Sequence, residues 1–185
     1  IGADFVTNPF GGLIRLDLWD VTLFQSGSVP YQLTFPADLF TFGWLMGMTY
    51  TTKLLDGLDG LVSGLGVIGF AVIALLSITP EVAQPELAVL AMAAAGALGG
   101  FLVFNARPAS IFLGEGGSTL VGFLLGAFAI LSGAKIGVTL LVLAVPIMDV
   151  AWTIARRLVA RTSISQGDAD HLHFRLVRGG LTPSQ

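Results

Sequence analysis

Long stretches without any charged residue divide the chain into segments as long as a membrane-spanning helix. Three such stretches cover residues 60–80, 87–106 and 116–134. Because a helix needs about 20 apolar residues to cross the hydrocarbon core of a bilayer, each stretch is long enough to span a membrane. The pattern predicts the end of one span at residues 1–6 and about five full membrane-spanning helices, at residues 35–52, 61–78, 87–104, 119–131 and 138–154.

Residues 13–19 have a different pattern, in which apolar side chains alternate with Arg15 and Asp17. A period of two is typical of a β-strand with one polar face. A second short extended run, 31–35, follows the turn-forming sequence Ser-Gly-Ser. We therefore predict a small extracytoplasmic β-hairpin at residues 13–35.

The composition supports a membrane protein. The 185 residues are 54% hydrophobic and 11% charged, whereas about a quarter of the residues of a soluble domain are charged. The formal net charge of -3 offers no basic surface to a phosphate backbone, so we exclude a nucleic-acid-binding protein. The absence of cysteine excludes a disulfide scaffold and a cysteine nucleophile. The expected fold class is all-α, a polytopic membrane helical bundle forming one domain over residues 1–185.

The basic residues indicate which side of the membrane each loop faces. Seven of the nine fall on one side of the five-helix arrangement, which the positive-inside rule makes cytoplasmic. Residues 156–185 then form a cytoplasmic tail. We expect a multi-pass protein of the cell inner (plasma) membrane with its active site at the cytoplasmic face. The seven residues are Lys53, Arg107, Arg156, Arg157, Arg161, Arg175 and Arg178.

The first polar motif, Asp56-Gly57-Leu58-Asp59-Gly60, follows the first predicted helix. One helical turn would place Asp56 and Asp59 on a common face. The glycines permit a tight turn or the close approach of a phosphate group. The alternative is a plain turn between two helices, in which an aspartate caps the second helix.

The second motif is the polar loop 105–118, which ends in a glycine-rich run before an apolar helix. Backbone N–H groups at a helix N-terminus attract anions. Glu115 adds a hard oxygen ligand of the kind that Mg²⁺ shares with substrate phosphates. The alternative is that the glycines only form a turn and that Ser118 only caps the following helix.

Asp149 lies within the fifth apolar segment. A carboxylate in a membrane helix is costly, so it normally faces a cavity or a partner and marks a functional position. An ion pair with Arg156, two helical turns further on, would account for Asp149 without any function.

The C-terminal region contains His171, His173 and Arg175. Histidines two residues apart diverge on a helix, which makes joint metal binding less natural than with the i, i+4 spacing of metal-binding helices. Together with Arg175 they could instead hold a phosphate through charge-assisted hydrogen bonds. The alternative is an amphipathic tail on the membrane surface.

The order of these motifs resembles that of the polyprenyl-phosphate N-acetylhexosamine-1-phosphate transferases, glycosyltransferase family 4. Residues 8–12 and the hairpin are similar to the extracytoplasmic segment of one branch, the undecaprenyl-phosphate N-acetylglucosaminyl 1-phosphate transferases. The muramoyl-pentapeptide branch usually carries three consecutive histidines, which Leu172 interrupts here. The resemblance covers most of the chain and rests on residues 56–61, 104–114, 146–149 and 171–173.

The resemblance implies an enzyme that depends on Mg²⁺, with Mn²⁺ as an alternative cation. It would transfer a sugar 1-phosphate, N-acetylglucosamine 1-phosphate in the first instance, from a UDP-sugar to a polyprenyl phosphate and release UMP. The product would enter a cell-envelope polysaccharide, with teichoic acid and lipopolysaccharide both left open. Phe112 would stack on uracil. From the residues and the resemblance together, we predict a metal ligand at Glu115, catalytic groups at Asp56, Asp59, His171 and His173, and substrate contacts at Lys53, Asn105, Phe112, Gly114, Asp149 and Arg175.

Several positions depart from the family pattern. Glu115 stands where aspartate is usual, and Tyr50 and Lys53 replace asparagines. Lys53 could face a phosphate or pair with Asp56. The family's Asp-Asp motif is expected upstream of Ile1, so we expect an N-terminally truncated piece that cannot turn over alone.

Other functions are compatible with parts of the pattern. A phospho-N-acetylmuramoyl-pentapeptide transferase is the alternative within the family. A transporter would also carry acids in apolar helices, but transport sites lie near the midplane, whereas Asp56, Asp59 and Glu115 are predicted at one face. The changes at Tyr50 and Lys53 are compatible with an inactive protein that keeps the fold. The sequence leaves a homodimer open.

Overall fold

The computed structural model describes residues 5–7, 13–15, 17–26, 29–80 and 82–132. The predicted fifth helix and the cytoplasmic tail lie outside the described residues. The same holds for the candidate residues Asp149, Arg156, His171, His173 and Arg175.

In this part of the chain, four short strands precede four helices. The strands are β1 (Phe5–Thr7), β2 (Leu13–Arg15), β3 (Asp17–Ser26) and β4 (Val29–Pro36). The helices are α1 (Ala37–Leu55), α2 (Leu61–Ser77), α3 (Pro85–Asn105) and α4 (Gly114–Leu131). They correspond to the first four predicted membrane-spanning helices.

The strands form two antiparallel pairs, β1 with β2 and β3 with β4. The predicted hairpin is present, but its first strand is split, since residues 13–15 pair with β1 and residues 17–26 pair with β4. The prediction that residues 1–6 end a membrane-spanning helix is wrong for Phe5 and Val6. Their backbone pairs with β2, and aromatic and β-branched residues such as Phe5 and Val6 favour a strand.

The start of α4 also differs from the prediction. The helix begins at Gly114 rather than at residue 119. The glycine-rich end of the predicted loop therefore forms the first turns of α4. Ser118 therefore does not cap the helix; its hydroxyl lies 3.1 Å from the carbonyl oxygen of Gly114, one turn back. The apolar stretch covers only part of the helix, because its backbone hydrogen bonding continues into the polar segment.

The helices pack as two close pairs, α1 on α4 and α2 on α3, and α2 also contacts α4. Lys53 at the end of α1 contacts Glu115 at the start of α4. Near the other end of α4, Ile130 packs against Phe40 and Trp44 of α1. The helices α1 and α4 are therefore antiparallel.

Small residues on α4 allow this close packing. A Cβ atom added to Gly122 would lie 2.1 Å from Thr52 Oγ1 and 2.5 Å from the carbonyl oxygen of Met48. One turn further, the indole Nε1 of Trp44 donates a hydrogen bond to the carbonyl oxygen of Gly126 at 3.1 Å. Close approach through small residues is typical of helix pairs in membranes.

Among the described residues, α3 and α4 are long and apolar enough to cross a membrane, and α2 is apolar but shorter. The apolar parts of α3 and α4 are only 22% and 33% buried, respectively, which is much less than expected for the core helices of a soluble domain. The number of five spans stays a prediction.

Candidate active site

A cavity of about 470 Å³ lies where the C-terminal end of α1, the turn 56–60, the end of α3 and the start of α4 meet. Seven of the predicted site residues line it: Lys53, Asp56, Asp59, Asn105, Phe112, Gly114 and Glu115. The wall also contains four residues that were not predicted as site residues, Gly57, Leu58, Leu113 and Ser118. The structure thus brings together motifs that are about 60 positions apart in the sequence.

Asn105 joins the two polar segments of the cavity wall. Its Oδ1 accepts hydrogen bonds from the backbone N–H of Gly60 at 3.2 Å and from the hydroxyl of Ser63 at 2.6 Å. Its Nδ2 donates to the carbonyl oxygen of Ile111 at 3.0 Å. The residue is 6% exposed, so three of the four hydrogen-bonding positions of its amide are used inside the protein. This geometry favours a positioning role for Asn105; its predicted substrate contact stays a prediction.

Gly60 makes the turn possible. Its φ of 76° lies in the left-handed region, which is strained for residues with a Cβ atom. A Cβ atom would also meet Leu102, Ala106 and Asn105 at 3.4 to 3.6 Å. Asp59, its neighbour, accepts a hydrogen bond from the backbone N–H of Ala109 at 3.1 Å. The turn 56–60 is thus tied to the last residue of α3 through Gly60 and to the segment that follows α3 through Asp59.

We predict that Asn105→Leu lowers the free energy of unfolding by about 2 kcal/mol or more, because it leaves the fully buried Ser63 hydroxyl and two backbone groups without partners. Thermal unfolding in detergent solution measures the effect. The double variant Asn105→Leu/Ser63→Ala should recover part of the loss, since it removes the stranded hydroxyl. Unchanged stability of Asn105→Leu would contradict the positioning role.

Lys53 and Glu115 form an ion pair across the cavity mouth. The sequence left open whether Lys53 pairs with Asp56, and the structure places it on Glu115 instead. The hydrogen bond to Glu115 raises the pKa of the Lys53 ammonium group, which stays protonated at neutral pH. Both side chains are well exposed, at 40% and 72%, so water screens the ion pair and it adds little to stability. A phosphate or a metal ion could therefore separate the two groups at little cost.

Asp56 lies in the cavity wall and has a raised pKa. The residue is exposed as a whole, but partial burial of its carboxyl group raises its pKa, and a side-chain hydrogen bond with Ser118 offsets part of that rise. The Ser118 hydroxyl has a single proton, for which the carbonyl oxygens of Gly114 and Glu115 also compete at 3.1 and 3.2 Å.

If Asp56 acts as a carboxylate, Ser118→Ala should move the acidic limb of the pH–activity profile to higher pH. The variant removes the hydrogen bond that favours the charged form, so the pKa of Asp56 rises further. Thr119→Ala is the matched control, because among the described residues that hydroxyl contacts the helix carbonyls of Glu115 and Gly116 and no carboxylate. A profile of kcat/KM against pH that does not move in Ser118→Ala would exclude this role.

The remaining two predicted residues of the cavity wall are Gly114, the first residue of α4, and Phe112, two positions before it. Phe112 is 75% exposed beside the cavity, so one face of its ring is free to stack on a planar group. Gly114 begins α4 with a φ of 69°. The N-terminal N–H groups of α4 therefore lie beside the cavity, where they favour an anion.

The donor set suits Mg²⁺ bound jointly with a substrate. The described residues contain no group of three or more acids or histidines placed to hold a metal ion. Mg²⁺ usually takes one or two carboxylates and completes its shell with water and substrate phosphates. Glu115 offers an exposed carboxylate for this, and Lys53 is a weak competitor for it.

Comparison with known proteins decides the family. The family model of Glycosyl transferase family 4 matches residues 6–133, which include every described residue of the cavity wall. The chain belongs to Glycosyl transferase family 4. The resemblance seen in the motifs is thereby confirmed.

Similar proteins within Glycosyl transferase family 4 include enzymes of two specificities. The chain is 34% identical over 158 residues to a probable undecaprenyl-phosphate N-acetylglucosaminyl 1-phosphate transferase of Bacillus subtilis, covering 82% of this chain and 44% of the relative. It is 40% identical over 111 residues to a phospho-N-acetylmuramoyl-pentapeptide-transferase of Limosilactobacillus reuteri, covering 58% and 34%. A Listeria monocytogenes enzyme of the latter name is 42% identical over 93 residues, covering 50% and 28%. The chain thus spans less than half the length of these relatives.

Proposed function

We propose that the protein transfers N-acetylglucosamine 1-phosphate from its UDP-sugar to a polyprenyl phosphate and releases UMP. The observation that carries this proposal is one cavity that combines the carboxylates of Asp56, Asp59 and Glu115 with the ammonium group of Lys53. The cavity lies at one end of a bundle whose sides are apolar. The name of the Bacillus subtilis relative, which matches most of the chain, supports the acceptor and the sugar.

The reaction brings anions together. A phosphate oxygen of the lipid attacks the sugar-bearing phosphorus of the diphosphate, and the bond to the UMP oxygen breaks. For such a reaction, the protein mainly aligns the reactants and neutralises charge. Lys53 provides a mobile positive charge, and the start of α4 provides backbone donors for a phosphate. The exposed ring of Phe112 would stack on the uracil base.

Glu115 would hold Mg²⁺ or Mn²⁺, which would supply further positive charge to the diphosphate. Lys53 leaves Glu115 at little cost, so it can turn to a phosphate when Glu115 has another cation partner. Asp56 and Asp59 hold different positions. Asp59 supports the loop through Ala109, whereas the partly buried Asp56 is the better placed to accept a proton.

The basic residues at the cavity end of the bundle indicate which side of the membrane this end faces. Lys53 and Arg107 lie at the end that carries the cavity, as the positive-inside rule requires of a cytoplasmic face. We propose a multi-pass inner-membrane protein in which the nucleotide enters from the cytoplasm and the prenyl chain lies in the bilayer.

The test is an exchange assay on the full-length protein in membranes. Radiolabelled UMP should appear in UDP-N-acetylglucosamine only when Mg²⁺ and the lipid-linked product are present. A parallel assay with UDP-N-acetylmuramoyl-pentapeptide tests the other specificity among the relatives, and exchange confined to that donor would replace the proposed sugar. Failure to exchange with either donor would remove the transferase proposal altogether.

A further inference from the structure

In the part of the β3–β4 hairpin next to α1, four apolar side chains share one face. Trp19 lies opposite Phe35 and Val21 lies opposite Leu33, while Asp20 lies between Trp19 and Val21 in the strand. Successive side chains of a strand point to opposite faces, and directly paired residues share a face. The side chains of Trp19, Val21, Leu33 and Phe35 therefore form one surface, which we call the apolar hairpin face.

This face is exposed on the protein. Trp19 is 69% exposed, Val21 58%, and Leu33 and Phe35 42% each. The rings of Trp19 and Phe35 stack with their planes 7° apart and their centroids separated by 6.1 Å. Large apolar side chains gathered on one surface usually mark a contact with a protein or a membrane.

The hairpin is held at the N-terminal end of α1. Strand β4 ends at Pro36 and α1 begins at Ala37, so no linker separates them. The backbone N–H of Thr34 donates to the carboxylate of Asp38 in the first turn of α1 at 2.7 Å. The hairpin therefore cannot move far from the helix.

This end of α1 is level with the C-terminal end of α4. The two helices are antiparallel, with Ile130 of α4 packed on Phe40 of α1 and the cavity at the far end. In the proposed membrane arrangement, on which this inference rests, α4 is long enough to cross the bilayer, so its C-terminal end lies at the membrane surface opposite the cavity. The hairpin consequently lies at that surface.

We propose that the apolar hairpin face lies in the interfacial region of the bilayer, on the side opposite the cavity. Tryptophan and other aromatic rings concentrate at this depth, where one part of a side chain is in contact with lipid and another with water. An amphipathic surface buries its apolar side among the lipid headgroups and leaves its polar side in water. Asp20 occupies the polar side.

A lipid contact is favoured over a protein contact because the exposed apolar surface continues onto the helix. Leu39 and Phe42, one turn apart in α1, are 59% and 63% exposed. The apolar surface thus runs from Phe35 onto the outer side of a helix that packs along α4. A bilayer covers both parts together.

The test uses single cysteine variants; the 185 residues contain no cysteine, and any cysteine elsewhere in the full-length protein is first replaced with serine. A nitroxide label is attached to Val21→Cys or to Asp20→Cys in the full-length protein, reconstituted in vesicles of phosphatidylethanolamine and phosphatidylglycerol. We expect oxygen, which concentrates in lipid, to relax the label at residue 21 several-fold more strongly than at residue 20. We expect the water-soluble nickel complex Ni-EDDA to show the opposite order. The pair Leu33→Cys and Thr34→Cys repeats the comparison on β4.

Equal access of Ni-EDDA to both faces would show that the hairpin stands clear of the membrane and would overturn the proposal. Protection of residues 21 and 33 from both reagents would show that protein covers the face, and would overturn it equally. Neither outcome bears on the proposed transferase activity, because the hairpin lies at the end opposite the cavity.

Discussion

Replacing Glu115 with glutamine is expected to lower the exchange rate on the order of a hundredfold or more, while the protein stays folded. The substitution keeps the size of the side chain and removes the charge that would hold a divalent cation against the diphosphate. Such a cation contributes several kcal/mol to stabilising charge in the transition state. Because Glu115 is 72% exposed, its replacement costs little stability. The measurement is UMP exchange as a function of Mg²⁺ concentration, alongside thermal unfolding.

Two further variants separate the charge of Glu115 from its contact with Lys53. Glu115→Asp should retain exchange, since it keeps a carboxylate at the position where the family usually has aspartate. Lys53→Met breaks the same ion pair but leaves Glu115 free, so we expect a lower Mg²⁺ concentration at half-maximal rate and a smaller loss of rate. If Lys53→Met and Glu115→Gln were equally damaging, the ion pair itself, and not a bound cation, would be the function of Glu115.

Gly122→Ala is expected to destabilise the protein by at least about 1 to 3 kcal/mol, the usual cost of overpacking, and to abolish exchange with it. The added methyl group would lie 2.1 Å from Thr52 Oγ1 and 2.5 Å from the carbonyl oxygen of Met48, and a backbone atom cannot move aside as a side chain does. The helices α1 and α4 must separate, and Lys53 and Glu115 separate with them. Thermal unfolding and the exchange assay measure the two effects.

Gly100→Ala is the matched control for Gly122→Ala. Gly100 also lies within a helix, but a Cβ atom there has nothing within 4 Å. That variant should be neutral or slightly stabilising, because alanine favours helix more than glycine does. If both variants behaved alike, the close packing of α1 on α4 would not explain how the cavity is held together.

The sequence was sufficient to place the helices α1 to α4 and to select seven of the eleven residues of the cavity wall. The charge-free runs mark α2, α3 and α4, because a membrane-spanning helix excludes charge. Asp56, Asp59 and Glu115 stood out because they interrupt an otherwise apolar chain. These signals are local, so a single sequence reveals them.

The contacts between segments could not be predicted in the same way. The Lys53–Glu115 pair joins residues 62 positions apart, and it depends on the antiparallel packing that Gly122 permits. Asn105 was predicted to contact substrate, because the sequence does not show that Gly60 and Ser63 donate hydrogen bonds to its Oδ1. The start of α4 was placed too late, because backbone hydrogen bonds do not end where the apolar stretch ends.

The central claim is that the sugar is transferred together with its phosphate, and the fate of that phosphate tests it most directly. The full-length protein is supplied with polyprenyl phosphate, Mg²⁺ and UDP-N-acetylglucosamine labelled with ³²P at the phosphate that carries the sugar. We predict that the label moves into the lipid extract in equal amount with the UMP released, because the sugar is transferred together with its phosphate. Sugar in the lipid extract with the label left in aqueous UDP would show transfer of the sugar alone, and would contradict the proposed reaction.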